Sequence, residues 1–366
     1  MLRMVAVVSL FLFTPCIHAQ EMPAVPSATP RTGPPPLQIP DPHYETVSRS
    51  IDVDAPADKV WARVGKFCDV GEWYPAADGS TCTYLAGDGD VGTVRSVAHE
   101  VLVGKTPYSY TYAQAPRENS PYNLYHGTFE AIPLSATSSR LHYVLFFDTS
   151  MLDSAARDAY LKGRETMLDV QLKNMKLLAE GGSMLARPNA TPRQSGEGRV
   201  VQAAYLSPNP HYVVVPVQIQ INSTADKVWS TIGHFCDIAK LGAAGYPRCQ
   251  ITSGTDGEYG VVRNIGREVL VGKTAYSYTY TQQMRATGFY SLYHGTVESR
   301  AVTPGTTTLY WTLVYDNSNL PDDSARETDI SNRRTRFTQM LQNVKILSEG
   351  GSLPPVSPDP SKPDGR

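Results

Sequence analysis

The twelve residues Val101–Tyr112, Val-Leu-Val-Gly-Lys-Thr-Pro-Tyr-Ser-Tyr-Thr-Tyr, recur as Val269–Tyr280 with only Pro107 replaced, by Ala275. Ala57-Asp58-Lys59-Val60-Trp61 returns as Ala225-Asp226-Lys227-Val228-Trp229, and Phe67-Cys68-Asp69 as Phe235-Cys236-Asp237. Leu124-Tyr125-His126-Gly127-Thr128 returns as Leu292-Tyr293-His294-Gly295-Thr296. All four pairs stand 168 residues apart, so the segments between them have matching lengths. A unit of about 140 residues is too long for a solenoid repeat and the right size for a domain. The chain must therefore build one fold twice, and the two copies form a small internal alignment.

Before the repeats comes an apparent export signal. Arg3 supplies a positive start, Val5 to Phe13 an apolar run too short to span a bilayer, and Ile17-His18-Ala19 a small-residue cleavage pattern. Cys16 would suit a lipid anchor, but Pro15 directly before it fits a lipoprotein signal poorly. The expectation is a signal peptide over 1–19 and a periplasmic or secreted protein without a membrane span. A formal charge of −2 and the lack of any Lys/Arg run argue against nucleic acid as a partner. Export also makes the cysteines readable. Cys68 and Cys82 lie in the first copy, Cys236 and Cys249 in the second, and only pairing within each copy gives both domains the same bond. No Cys-x-x-Cys occurs and no histidine lies near at ligand spacing, so a metal site is not expected.

Composition sets the boundaries. A Pro-rich flexible segment covers 20–42, the first domain 43–183, a linker 184–209, the second domain 210–352, and a loose tail 353–366. Within the first copy, Val47 to Val53 alternates as a strand, and Ala55-Pro56 opens a helix with Val60, Trp61 and Val64 inward. Cys68 to Tyr74 reads as a second short helix or turn. Strands follow at Thr81 to Ala86, Gly92 to about Val103, Tyr108 to Gln114, Asn123 to Ile132 and Arg140 to Asp148. Met167, Leu168, Leu172, Met175 and Leu178 make the apolar stripe of a long helix ending at Gly181-Gly182. Phe337, Met340, Leu341, Val344 and Leu347 make its counterpart, ending at Gly350-Gly351. The fold class is α+β: in each copy an antiparallel sheet with a long helix on one face.

Each copy resembles a domain of the START-like superfamily (SRPBCC, helix-grip fold), in its polyketide cyclase/dehydrase-like branch. The opening Ala55-Pro56-Ala57-Asp58-Lys59-Val60-Trp61 and the later Trp73-Tyr74-Pro75 carry the resemblance. So do Val91-Gly92-Thr93-Val94-Arg95 with Glu100 and Tyr108-Ser109-Tyr110, and the closing helix. The resemblance implies two tandem helix-grip domains, each a curved antiparallel sheet wrapped on a long C-terminal helix with two short helices after the first strand. It also implies a cavity between sheet and helix for a small hydrophobic or amphipathic ligand, and no cofactor. The superfamily holds carriers and enzymes alike, so the fold alone does not name the activity.

Several repeated residues are candidates for that cavity. Tyr108, Tyr110 and Tyr112, with Tyr276, Tyr278 and Tyr280, are spaced by two and so share one strand face. That face is either an outward stripe or a wall presenting rings and hydroxyls to a ligand. Arg95 and Glu100, repeated as Arg263 and Glu268, could hold a carbonyl or carboxylate oxygen. Yet a spacing of five puts them on opposite faces of an unbroken strand, so both face inward only across a bulge or bend. His126 and His294 are either general bases or buried structural histidines. On this reading Arg95 sits in a wet pocket, and its loss would scarcely affect the fold. The copies differ after the first cysteine, where Glu72-Trp73-Tyr74-Pro75 stands against the glycine-richer Lys240 to Pro247. Different ligands, or a single binding domain, are therefore both open. Two functions remain: an exported binding protein for a small hydrophobic or amphipathic molecule, or a cofactor-free cyclase, dehydratase or lyase. Interdomain or homo-oligomeric contact is a further expectation.

Overall fold

The computed structural model describes residues 39, 41–75, 81–114, 122, 124–184, 209–283 and 291–354. The expected signal peptide, nearly all of the Pro-rich segment, the linker except its end residues, and the tail beyond 354 lie outside the described residues.

The first copy opens with strand β1 (Tyr44–Val53) and helices α1 (Ala57–Val64) and α2 (Val70–Trp73). A meander follows: β2 (Tyr84–Ala86), β3 (Val94–Arg95), β4 (Glu100–Thr106), β5 (Ser109–Gln114), β6 (Tyr125–Pro133) and β7 (Ser139–Asp148). The long helix α3 (Ser154–Ala179) closes the copy. The second repeats the order with β8 (Tyr212–Ile221), α4 (Ala225–Ile232), a 3₁₀ segment Asp237–Ala244 in place of α2, and β9 (Ile251–Ser253). It continues through β10 (Val262–Arg263), β11 (Glu268–Thr274), β12 (Ser277–Gln282), β13 (Tyr293–Thr303), β14 (Thr306–Asp316) and α5 (Asp323–Ser348). Each copy is one seven-stranded antiparallel sheet, ordered β1-β7-β6-β5-β4-β3-β2 and its equivalent. These are two tandem helix-grip domains.

Local chemistry explains the long helices. Asp153 caps α3 by accepting from the Ala156 amide at 2.8 Å, and Asp322 caps α5 by accepting from Ala325 at 2.8 Å. Leu168, Leu172 and Met175 bury one face of α3 against the sheet; Phe337, Met340, Leu341 and Val344 do the same for α5. Asn174 donates to the Trp73 carbonyl at 3.0 Å and Asn343 to the Leu241 carbonyl at 2.8 Å, tying each helix to the segment after the first cysteine. Asn174 and Asn343 are 169 apart, whereas Trp73 and Leu241 are 168 apart, so one residue has been inserted before the second long helix.

The strand expected from Gly92 to Val103 is two strands. Residues 96–99 form a tight turn in which Ala98 (φ 53°) and His99 (φ 52°) adopt left-handed backbone; Gly266 and Arg267 do so in the second copy. Arg95 and Glu100 thereby become direct cross-strand partners, on one face rather than opposite ones.

Both faces of the central strands are buried. The inner face packs on the long helix; the outer face packs on the other domain. Val101, Val103 and Ala113 meet Leu292 and Val314, while Val262, Val269 and Val271 meet Phe146. A Cβ on Gly104 would lie 2.6 Å from Thr296 Oγ1 and 2.7 Å from Thr279 Oγ1; one on Gly272 would lie 2.6 Å from Thr111 Oγ1 and 2.8 Å from Thr128 Oγ1. The exchange is reciprocal, as in a two-fold dimer. The repeated Val-Gly motif is thus an interface motif.

At the centre of this interface His126 Nε2 meets His294 Nε2 at 2.7 Å. One ring donates to the lone pair of the other. Burial holds His126 well below the usual histidine range, with help from His294, and burial lowers His294 to about 3. In the unfolded chain both rings would bind protons below about 6.5. Their contribution to stability is therefore complete above that value and is lost as the pH falls toward the folded values. The expected result is a melting temperature that drops between pH 7 and about 5. A flatter slope is expected in the His126→Phe/His294→Phe variant, measured by thermal denaturation. An unchanged slope rejects the assignment.

Candidate functional site

In the second domain a cavity of about 160 Å³ lies between the sheet and α5. Arg263, Glu268, Tyr280, Gln282 and Tyr293 line it from the sheet, and Arg333 and Phe337 from the helix. Ile238 and Tyr246 close it from the segment after the first cysteine. The first domain carries Arg95, Glu100, Tyr112, Gln114 and Tyr125 at the matching sheet positions, and Arg164 at the matching helix position. The polar wall is therefore built twice, although the segments after the first cysteine differ.

Arg263 and Glu268 line the cavity, and Arg95 and Glu100 are their counterparts in the first domain. Arg95 Nε donates to Glu100 Oε2 at 2.6 Å, Nη2 reaches the same oxygen, and Nη1 donates to the Phe67 carbonyl. The guanidinium lies 4.2 Å from the centre of the Phe67 ring and 4.9 Å from that of Tyr112. Arg263 repeats each contact, with Glu268 at 2.6 Å, the Phe235 carbonyl, and the Phe235 and Tyr280 rings at 4.2 and 4.8 Å. Gln114 donates to the other Glu100 oxygen at 2.6 Å. Arg95 is only 1% exposed and bound on three sides by the protein. It is a structural tie between the β3–β4 hairpin and the end of α1, not an arm in a wet pocket.

The tyrosine triplets divide. Tyr108 and Tyr276 stand in the β4–β5 and β11–β12 turns, 37% and 39% exposed, and Tyr276 donates to Asp226. They do not line the cavity, because the strands begin only at Ser109 and Ser277. Tyr110, Tyr112, Tyr278 and Tyr280 face inward and are buried. Tyr110 and Tyr278 pack on Phe67 and Phe235, which leaves Tyr280 as the member of its triplet that lines the cavity. The Tyr112 ring lies directly over Gly127, where a Cβ would come within 2.3 Å of it; Gly295 and Tyr280 repeat this. Burial raises Tyr110 and Tyr278 to about 12, so both phenols remain protonated at neutral pH. Burial also raises the Glu268 carboxyl, against the pull of Arg263. His126 and His294 are removed from the cavity altogether. Each follows an inward tyrosine, Tyr125 or Tyr293, and neighbouring strand residues point to opposite faces.

Gln114, Gln282, Tyr125 and Tyr293 were detectable as repeated polar residues at the 168-residue offset. Arg164 and Arg333 were masked by the one-residue insertion. The chemistry of the assembled wall is that of hydrogen-bond donors and rings around one buried ion pair. Among the described residues no group of three or more His, Cys, Asp or Glu side chains could hold a metal ion. Disulfides join Cys68 to Cys82 and Cys236 to Cys249, as in proteins of oxidising compartments. No described helix is long and apolar enough to cross a membrane.

Residues 44–180 match the family described as "Polyketide cyclase / dehydrase and lipid transport". No curated protein matches the sequence. Among solved structures the chain is similar to the di-domain ARO/CYC BexL from the BE-7585A biosynthetic pathway, at 15% identity over 84% of this chain and 99% of that one, TM-score 0.31. It is also similar to the Zhui aromatase/cyclase from Streptomyces sp. R1128, at 20% identity over 38% of this chain and 94% of that one, TM-score 0.29. A protein from Thermobifida fusca is similar at 22% identity over 39% of this chain and 97% of that one, TM-score 0.32. Residues 44–180 thus match the polyketide cyclase/dehydrase and lipid transport family, and the second half repeats the same elements in the same order with the same polar residues.

Proposed function

We propose that this chain is an exported, periplasmic or secreted, binding protein whose cavities hold a small amphipathic ligand built on a ring. The observation that carries the reading is the wall of arginine, glutamate, glutamine and tyrosine around a space of about 160 Å³ in the second domain, its residues repeated in the first. A dry cavity of about 150 Å³ holds one benzene ring. A ring with one or two oxygen substituents matches both the volume and the donors, because few well-placed polar groups orient a ligand in a largely aromatic pocket. A second reading, a cofactor-free cyclase, dehydratase or lyase, rests on the Glu268 carboxyl, which burial raises at the cavity wall. Glu268 is engaged by Arg263, which favours binding over proton transfer.

Native mass spectrometry of the exported protein should find a small molecule retained. Titration with benzamide, followed by protein NMR, should shift resonances around Tyr280 and Phe337. The cavity-filling variant Phe337→Trp should lose those shifts. A protein that retains nothing and responds to benzamide no differently from the filled variant overturns the proposal. Turnover of the retained molecule would favour the enzyme.

A further inference from the structure

The charges on the walls of the second-domain cavity cancel, and those at its mouth do not. Arg263 Nε donates to Glu268 Oε2 at 2.6 Å, and Arg333 Nε donates to Asp329 Oδ2 at 2.9 Å. The Tyr315 hydroxyl donates to the same Asp329 oxygen at 2.8 Å. In the segment after the first cysteine, Lys240 answers Asp237 at 2.7 Å. Arg336 is left over. Its guanidinium lies 4.3 Å from the centre of the Tyr246 ring, and Tyr246 lines the cavity. Among the described residues no carboxylate pairs with it. Its neighbours one turn away on α5 are Asn332, Arg333, Gln339 and Met340, none of them acidic.

The contact also marks where the cavity meets solvent. Arg336 is exposed and Tyr246 half-buried, while Phe337, the next residue of the helix, is buried in the lining. Burial raises the Tyr246 hydroxyl above the usual tyrosine range; Arg336, Arg263 and Arg333 all pull it down, against Glu268. Three guanidinium groups thus converge on this ring, and two carboxylates, Glu268 and Asp329, answer them. One positive charge remains at the opening. A ring seated in the cavity would find neutral donors within and a cation where its substituent emerges. A guanidinium stacked on an aromatic face keeps its N–H edge free for a carboxylate, which it matches in charge and geometry.

We propose that the second domain selects an anionic ligand, a ring-bearing carboxylate whose acid lies at the mouth against Arg336. This inference rests on the second-domain cavity being a ligand site. Benzoate and benzamide, alike in shape and different in charge, are the probes. Each is titrated into the full chain and followed by NMR at Tyr246 and Phe337. Benzoate should bind roughly threefold to tenfold more tightly, between the worth of an exposed ion pair and that of a buried charge-assisted hydrogen bond. The preference should shrink as salt is added, because Arg336 faces solvent. Arg336→Met installs the residue that α3 carries at the matching position, Met167, and should bring benzoate to the level of benzamide. Arg336→Lys should keep most of the preference, and Arg336→Glu should reverse it. Equal affinities in the parent, or a preference that survives Arg336→Met, overturn this inference and leave the cavity reading standing. Equal loss of both probes in Arg336→Met would assign the arginine to packing on Tyr246, and overturns it too. If neither probe binds the parent, the cavity reading fails and this inference with it.

Discussion

Replacing Arg95 with leucine is expected to destabilise the first domain by about 3–5 kcal/mol, the usual consequence of removing one partner from a buried ion pair. Among the described residues Glu100 would remain buried with Gln114 alone to answer it, and the Phe67 carbonyl would lose the Arg95 donor. The Arg95→Leu/Glu100→Leu double variant should recover most of that loss, since an apolar pair of similar volume leaves no charge behind. Denaturant unfolding of the single and double variants decides the matter. A single variant as stable as the parent would return Arg95 to the role its sequence suggested, that of a solvated side chain in a pocket. The same experiment on Arg263 and Glu268 should report on the second domain.

Removing the Cys68–Cys82 bond should cost the first domain about 3 kcal/mol on the chain-entropy estimate for a loop of this size, the two cysteines being 14 residues apart. The bond holds the start of α2 to the approach of β2. Cys68 follows Phe67, whose carbonyl anchors Arg95, so the disulfide and the ion pair brace one corner of the first domain. The Cys68→Ala/Cys82→Ala variant is expected to show an earlier unfolding transition assigned to the first domain. The Cys236–Cys249 variant should shift the other transition. A variant that unfolds at the parental denaturant concentration would show that the corner is held by packing alone.

The duplication, the order of elements, the two cysteine pairs and the apolar stripes of the long helices were all legible in the sequence. Each depends on local spacing or on comparing the chain with itself. The side on which each residue lies was not legible. In β5 the residues Ser109 to Ala113 are all buried, as are Ser277 to Thr281 in β12, because one face meets the helix and the other meets the second domain. When both faces are covered, the alternation that separates inside from outside disappears. That is why the tyrosine triplets read as one wall although their first members lie in turns, and why His126 and His294 looked as much like bases as like an interface. Arg95 and Glu100 share a face only because Ala98 and His99 accept left-handed backbone, a cost that local preference does not announce. Arg333 reaches the cavity from a helix one residue out of step with the repeat. The sequence alone determined that one fold would be made twice; the packing of two sheets back to back decided which of its repeated residues face the domain interior and which face the other domain, because only a folded neighbour can turn the outside of a strand into a second interior.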